Sequence, residues 1–150
     1  MQAKNAQLIR QMLLRDMSCL LHYLSGAWPW SNRKERDITS RLELLLQEEK
    51  DEHGRLAAVL RKQRLVPPSA SYPAEYSGCH YLALDHLLPQ LLTEQKKLLT
   101  HHQQARQQAV NDPAAEAVLD TFLAHKQEHV TDLEKIVADH AALKVHSTVN

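Results

Sequence analysis

Glu49-Lys50-Asp51-Glu52-His53 lies inside a strongly apolar helical pattern, and the chain echoes it at His125-Lys126-Gln127-Glu128-His129. Each copy ends in Glu-His and carries a lysine three residues before that histidine. Each also places a metal-ligand type, Glu49 or His125, four residues before it. Apolar sequence follows both copies: Leu56 and Leu60 after the first, Leu133, Ile136 and Val137 after the second. Two helices that turn ionisable groups toward one core build a site there.

Working outward, Leu42, Leu46, Glu49, His53, Leu56 and Leu60 recur at alternating steps of four and three, the stripe of an amphipathic helix. The helix is predicted from Asp37, as N-cap, to about Leu65, where Val66-Pro67-Pro68 stops it. Upstream, residues 4–25 read as a first helix with Ile9, Leu13, Leu20 and Tyr23 on one face. Asp16 falls on that face, and either enters the core or lies at its edge with the carboxylate in water. Gly26 ends this helix, and Trp28 and Trp30 in the following loop are expected to cap the end of the helical core.

Residues 69–79 (SASYPAEYSGC) show no helical period and read as a long connection. A third helix is expected from Tyr81 to Val110, with Glu94 on the line Leu87, Leu91, Glu94, Leu98; His101 and His102 read as surface residues. Asn111-Asp112-Pro113 is a turn with Asp112 as N-cap. The fourth helix is expected from Pro113 to about Leu143, with Phe122, His129 and Leu133 on its inner face and His125 one turn from His129. Residues 143–150 read as a frayed tail.

The chain has 150 residues, the size of one domain, and only 3 glycines among many helix formers, so an all-α domain is expected. Lys plus Arg equals Asp plus Glu at 18 each, which removes the electrostatic footprint of a nucleic-acid binder. No run approaches the roughly 18 apolar residues of a membrane span. Cys19 and Cys79 fit no ligand spacing and read as buried thiols of a reducing, cytoplasmic compartment. There is no Gly-rich phosphate loop and no nucleophile elbow. The 10 histidines are the compositional oddity; His22, His80, His86 and His140 are scattered and read as solvent-facing.

A short, a long and a short connection between four helices make an antiparallel four-helix bundle with one long crossover between helices 2 and 3. Antiparallel pairing puts Asp16 opposite about residue 47, near Glu49, and Glu94 opposite about residue 130, beside His129. The inward ionisable groups of all four helices can therefore meet at one level.

In this the chain resembles the ferritin-like di-iron carboxylate superfamily, the bacterioferritins and rubrerythrins. That family carries a Glu on each of helices 1 and 3 and Glu-x-x-His on each of helices 2 and 4. His53 and His129 match the two histidines and Glu94 the helix-3 carboxylate. Asp16 stands in for the helix-1 Glu, and Tyr23 resembles the core tyrosine of that helix. Lys50 and Lys126 stand where the family has its bridging glutamates.

Two readings follow. In the first, Asp16, Glu49, His53, Glu94, His125 and His129 form a His/carboxylate site for a transition metal, with Fe, Mn or Zn suited to it. The resemblance then implies a metal-dependent oxidoreductase working on oxygen or peroxide, or iron handling, in a homodimer or larger homo-oligomer. In the second, Lys50 and Lys126 replace the metal charges, pair with Asp16 and Glu94, and leave a metal-free bundle acting as a structural or protein-interaction module.

Overall fold

The computed structural model describes residues 1–29 and 31–148, and every regular element among them is helical. The helices are α1 (Ala3–Met17), α2 (Leu20–Tyr23), α3 (Arg36–Lys62), α4 (Leu84–Gln108) and α5 (Pro113–Thr148). Short 3₁₀ segments at Arg33–Glu35 and Ala74–Tyr81 complete the chain. No helix among the described residues is long and apolar enough to cross a membrane.

The first predicted helix is broken in two. Ser18 closes α1, and Cys19 is extended at φ −83°, ψ 164°. The break leaves the Leu20 N–H without a helical acceptor, and Glu94 Oε1 accepts it at 2.7 Å. Ser18 Oγ accepts the Ser71 N–H at 3.0 Å, so the same break anchors the connection between α3 and α4. That connection also lays Tyr72, Tyr76 and His80 against the Tyr23 ring. Tyr23 is thus half-buried, packed between the edge of the core and the connecting segment. The segment is also more ordered than its aperiodic sequence suggests, since Ala74–Tyr81 winds into 3₁₀ turns that bury Cys79.

The start of α3 lies upstream of the expected cap. Asn32 Oδ1 accepts the Glu35 N–H at 3.0 Å while Glu35 Oε1 accepts the Asn32 N–H at 3.2 Å, a reciprocal capping box. Asp37 falls instead in the first turn, where its charge complements the helix dipole. At α5, Asp112 caps as expected, its Oδ1 facing the Ala115 N–H at 3.4 Å. Its Oδ2 accepts from the Gln2 N–H and the Asn5 side-chain amide, both at 2.8 Å, which fastens the start of α1 to this turn. The helix continues past Leu143 to Thr148, where fraying was expected; 149–150 lie outside the described residues. Trp28 packs on the core from its loop, while Trp30 lies outside the described residues.

Side-chain pairs set the registers. Arg106–Asp120, Lys96–Glu134 and Asp85–Lys144 run α4 and α5 in opposite senses. Glu52–His125, Glu49–Lys126 and Arg41–Asp139 do the same for α3 and α5. The apolar interior forms two clusters. One gathers Leu20, Leu24, Leu42, Leu46, Leu88 and Leu133, and the other Ile9, Leu13, Leu56, Leu60, Leu119 and Phe122. Between these clusters the long helices bury polar side chains: Asp16 on α1, Glu49, Glu52 and His53 on α3, His102 on α4, and Lys126 and His129 on α5.

Leu56 is fully buried in the second cluster, whereas Leu44 on the same helix is 63% exposed. Leu56→Ala should cost about 2–5 kcal/mol of unfolding free energy. Leu44→Ala should stay within about 0.5 kcal/mol. Urea denaturation of both variants checks the inward face of α3.

Candidate functional site

Lys126 occupies the middle of the polar layer with 3% of its surface exposed. Its Nζ donates to Glu49 Oε1 and Oε2 at 3.2 and 3.3 Å and to Gln95 Oε1 at 3.0 Å, and lies 3.4 Å from Asp16 Oδ2. An ammonium has three protons and no acceptor capacity, and here Glu49 and Gln95 accept from it while Asp16 pairs with its charge, one side chain from each of three other helices. Imidazoles border both carboxylates. His102 Nε2 lies 2.9 and 3.0 Å from the two Asp16 oxygens, and His53 Nε2 lies 3.9 Å from Asp16 Oδ2. Around Glu49, His22 Nε2 is 3.5 Å from Oε1 and His129 Nδ1 is 3.8 Å from Oε2. The His22 and His53 rings stack at 4.7 Å, and Gln95 Nε2 donates to Cys19 Sγ at 3.6 Å.

The charges follow this geometry. Burial alone would push the Asp16 carboxyl up, but the Lys126 ammonium and His102 overcome it and hold it well below the usual carboxylate range. Glu49 meets the same burial and is brought down to about 2, by Lys126 first and then His22. Lys126 loses hydration on burial, yet Asp16 and Glu49 keep its ammonium charged far above neutral pH. Burial also pushes the Cys19 thiol up, with Glu49 adding to it, so this cysteine is not an activated nucleophile. His129 is shifted down by burial, which favours its neutral ring.

Glu52 sits at the rim of the layer, with Oε1 at 3.0 Å from His125 Nδ1 and 3.5 Å from His129 Nε2. Burial, reinforced by the nearby Glu49 charge, raises its carboxyl to about 7.

Of the six residues the sequence singled out, Asp16, Glu49, His53 and His129 meet around Lys126. His125 turns to Glu52 at the rim. Glu94 does not join them: its Oε1 accepts from the Leu20 N–H and from Tyr76 Oη at 2.8 Å. The inward place on α4 belongs to Gln95, one residue on, and to His102, one heptad further. Both are buried, in contrast to the surface role read for His102. His22 and His140, read as solvent-facing, are buried as well. Lys50 is exposed and donates to Ser25 Oγ at 2.8 Å, so one of the two lysines, not both, supplies the core charge.

The donor set fits the ferritin-type metal centre poorly. That centre draws a carboxylate from each helix. Here α5 supplies an ammonium, which cannot ligate and repels a cation, and α4 supplies an amide. In the layer's favour as a metal site, His22 Nε2, His102 Nδ1 and His129 Nδ1 are buried without a hydrogen-bond partner in the protein.

Among the described residues, one group of His and carboxylate side chains brings three ligand atoms within 4.8 Å of one another, and it lies elsewhere: Glu35, Asp85 and His140. It could hold a metal ion. Glu35 comes from the turn before α3, Asp85 from the first turn of α4 and His140 from the C-terminal part of α5. Lys144 beside Asp85 holds that carboxyl below its usual range.

No protein-family model, curated protein or solved structure matches the chain.

Glu52 makes the layer sensitive to pH. Its folded value near 7 lies above the roughly 4.3 of an unfolded glutamate, so the folded state binds the proton more tightly. That stabilisation is complete below about pH 4.3 and is lost as pH rises through about 7. Relative to Glu52→Gln, the wild type should therefore lose on the order of 1–2 kcal/mol between pH 5 and pH 8. Urea midpoints of the two proteins at both pH values measure this, and parallel pH profiles would refute it.

Proposed function

We propose that this chain is a ferritin-like four-helix bundle, with one long crossover between α3 and α4, whose centre is neutralised by a lysine in place of metal ions. It then serves as a non-catalytic helical module, structural or protein-binding. The observation that carries this reading is the Lys126 ammonium, set 3.0–3.4 Å from Gln95, Glu49 and Asp16. A tethered cation there already balances much of the carboxylate charge that would attract a metal. Support for the bundle comes from α3 and α4 both running opposite to α5, which obliges the chain between them to travel back along α1. The hydrogen bond of Ser71 to Ser18 and that of Arg10 Nε to the Val66 carbonyl at 2.8 Å agree with such a path.

The other reading, metal-dependent redox or iron handling at the same level, rests on the buried imidazole nitrogens without partners. It requires the buried Lys126 ammonium to give up its partners to the metal, and a buried ammonium left without them is costly. Association into a homodimer belongs to the proposal as a means of presenting the outer faces. A light-scattering mass of 17.2 kDa, that of one chain, would remove it.

Lys126→Met should destabilise the protein by about 3–5 kcal/mol by leaving buried carboxylates unpaired. Lys50→Met should change stability by no more than about 0.5 kcal/mol. Adding Asp16→Asn and Glu49→Gln to Lys126→Met should restore a large part of the loss, because the charges then vanish together. Under air, Fe(II) should oxidise no faster with the protein than in buffer. Faster oxidation that disappears in His53→Ala would overturn the metal-free reading.

A further inference from the structure

At the end of the helices where α3 and α4 begin, Glu35 Oε2 lies 2.7 Å from His140 Nε2, and Asp85 Oδ1 lies 3.7 Å from the same nitrogen. One N–H can point at only one of these oxygens. A cation at their common centre would engage all three atoms. Donors around a tetrahedral zinc stand roughly 3.4 Å apart, given metal–ligand lengths of about 2.0–2.2 Å. The two separations bracket that value.

A second, independent feature is the way each carboxylate is held from outside. Glu35 turns Oε2 to the centre, while its Oε1 accepts the Asn32 N–H at 3.2 Å. Asp85 turns Oδ1 to the centre, while Lys144 Nζ holds its Oδ2. Each ligand oxygen is thus paired with an outer oxygen fixed by a donor, the arrangement that orients carboxylates toward a metal. His140 is 7% exposed, and the three groups line a cavity of about 410 Å³ together with Arg33, Lys34 and Lys144.

We propose that Glu35, Asp85 and His140 form a structural binding site for one divalent transition ion of the zinc class. One imidazole with two carboxylates suits Zn, Mn, Fe or Co over Mg or Ca. The ion would join three segments distant in sequence: the capping turn of α3, the first turn of α4 and the last turns of α5.

The test is Zn(II) titration of the chelator-stripped, full-length protein by calorimetry, with thermal unfolding alongside. Expected are one Zn(II) per chain, a raised midpoint, and no comparable response to Mg(II). His140→Gln and Glu35→Gln should each weaken binding at least about tenfold. Glu35→Gln retains the capping box, since glutamine can replace glutamate there, so this variant should remain folded. His53→Ala should bind Zn(II) as the wild type does. No uptake by the wild type overturns this site and leaves the lysine-centred core untouched. Uptake lost in His53→Ala but kept in His140→Gln overturns both, placing the metal in the polar layer. Uptake indifferent to every substitution overturns this site alone.

Discussion

A single buried ammonium ties the four long helices together. Lys126 belongs to α5, and its acceptors come from α1 (Asp16), α3 (Glu49) and α4 (Gln95). The apolar clusters above and below have no such directionality, because leucines at related positions can exchange neighbours at modest cost. The ammonium cannot do so. Sliding α5 by one turn would move Nζ by about 5.4 Å, beyond hydrogen-bond reach of all three partners. Each helix register is therefore constrained by the others at this one level. The His102 imidazole, hydrogen-bonded to both Asp16 oxygens, extends the constraint to a second position on α4.

The break between α1 and α2 belongs to the same economy of polar groups. Extending the backbone at Cys19 frees the Leu20 N–H, and a buried amide without an acceptor would cost about as much as a lost hydrogen bond. Glu94 supplies the acceptor and uses the same oxygen for the Tyr76 hydroxyl. One carboxylate thus closes the helix break and holds the long connection against α4. Glu94 is unavailable to the core because it is committed here, and Gln95 brings an uncharged acceptor to Lys126 instead. A third carboxylate at Gln95 would have added a buried negative charge beside Asp16 and Glu49.

Helical class, the stripe along α3, the Asp112 cap and the convergence of Asp16 with Glu49 and His53 were all legible in the sequence. Each rests on a repeated spacing or on a strong local signal. What was not legible turned on choices between neighbours about 100° apart on a helix. The series Leu87, Leu91, Glu94, Leu98 and the series Leu88, Leu91, Gln95, Leu98 both satisfy helical spacing. They part at seven-residue steps: Leu88, Gln95, His102 and Ala109 return to an apolar residue and are all buried, whereas Leu87, Glu94 and His101 lead to the exposed Gln108. That continuation was the available clue to Gln95 and His102. The break at Ser18-Cys19 had none, because no glycine or proline marks it and its cause is the tertiary contact with Glu94 and Ser71. The start of α3 was misplaced for a related reason: Asp37 is a good cap in isolation, but the reciprocal pair Asn32 and Glu35 satisfies two amides rather than one.

The sign and placement of charge separate the two polar sites more sharply than their residue types do. Both contain carboxylates, imidazole and a lysine. In the polar layer the ammonium stands between the carboxylates, with Glu49 Oε1 and Oε2 and Asp16 Oδ2 all within 3.4 Å of it. At the end of the helices the Lys144 ammonium stands outside, on Asp85 Oδ2, and leaves Oδ1 facing Glu35 and His140. A cation fixed covalently in a closed core cannot exchange, which suits a permanent structural charge. A carboxylate pair backed by outer donors and bordering a cavity keeps its inner oxygens free for an ion supplied from solution. The difference between the sites is therefore one of access and geometry, and histidine and carboxylate counts in the sequence could not have distinguished them.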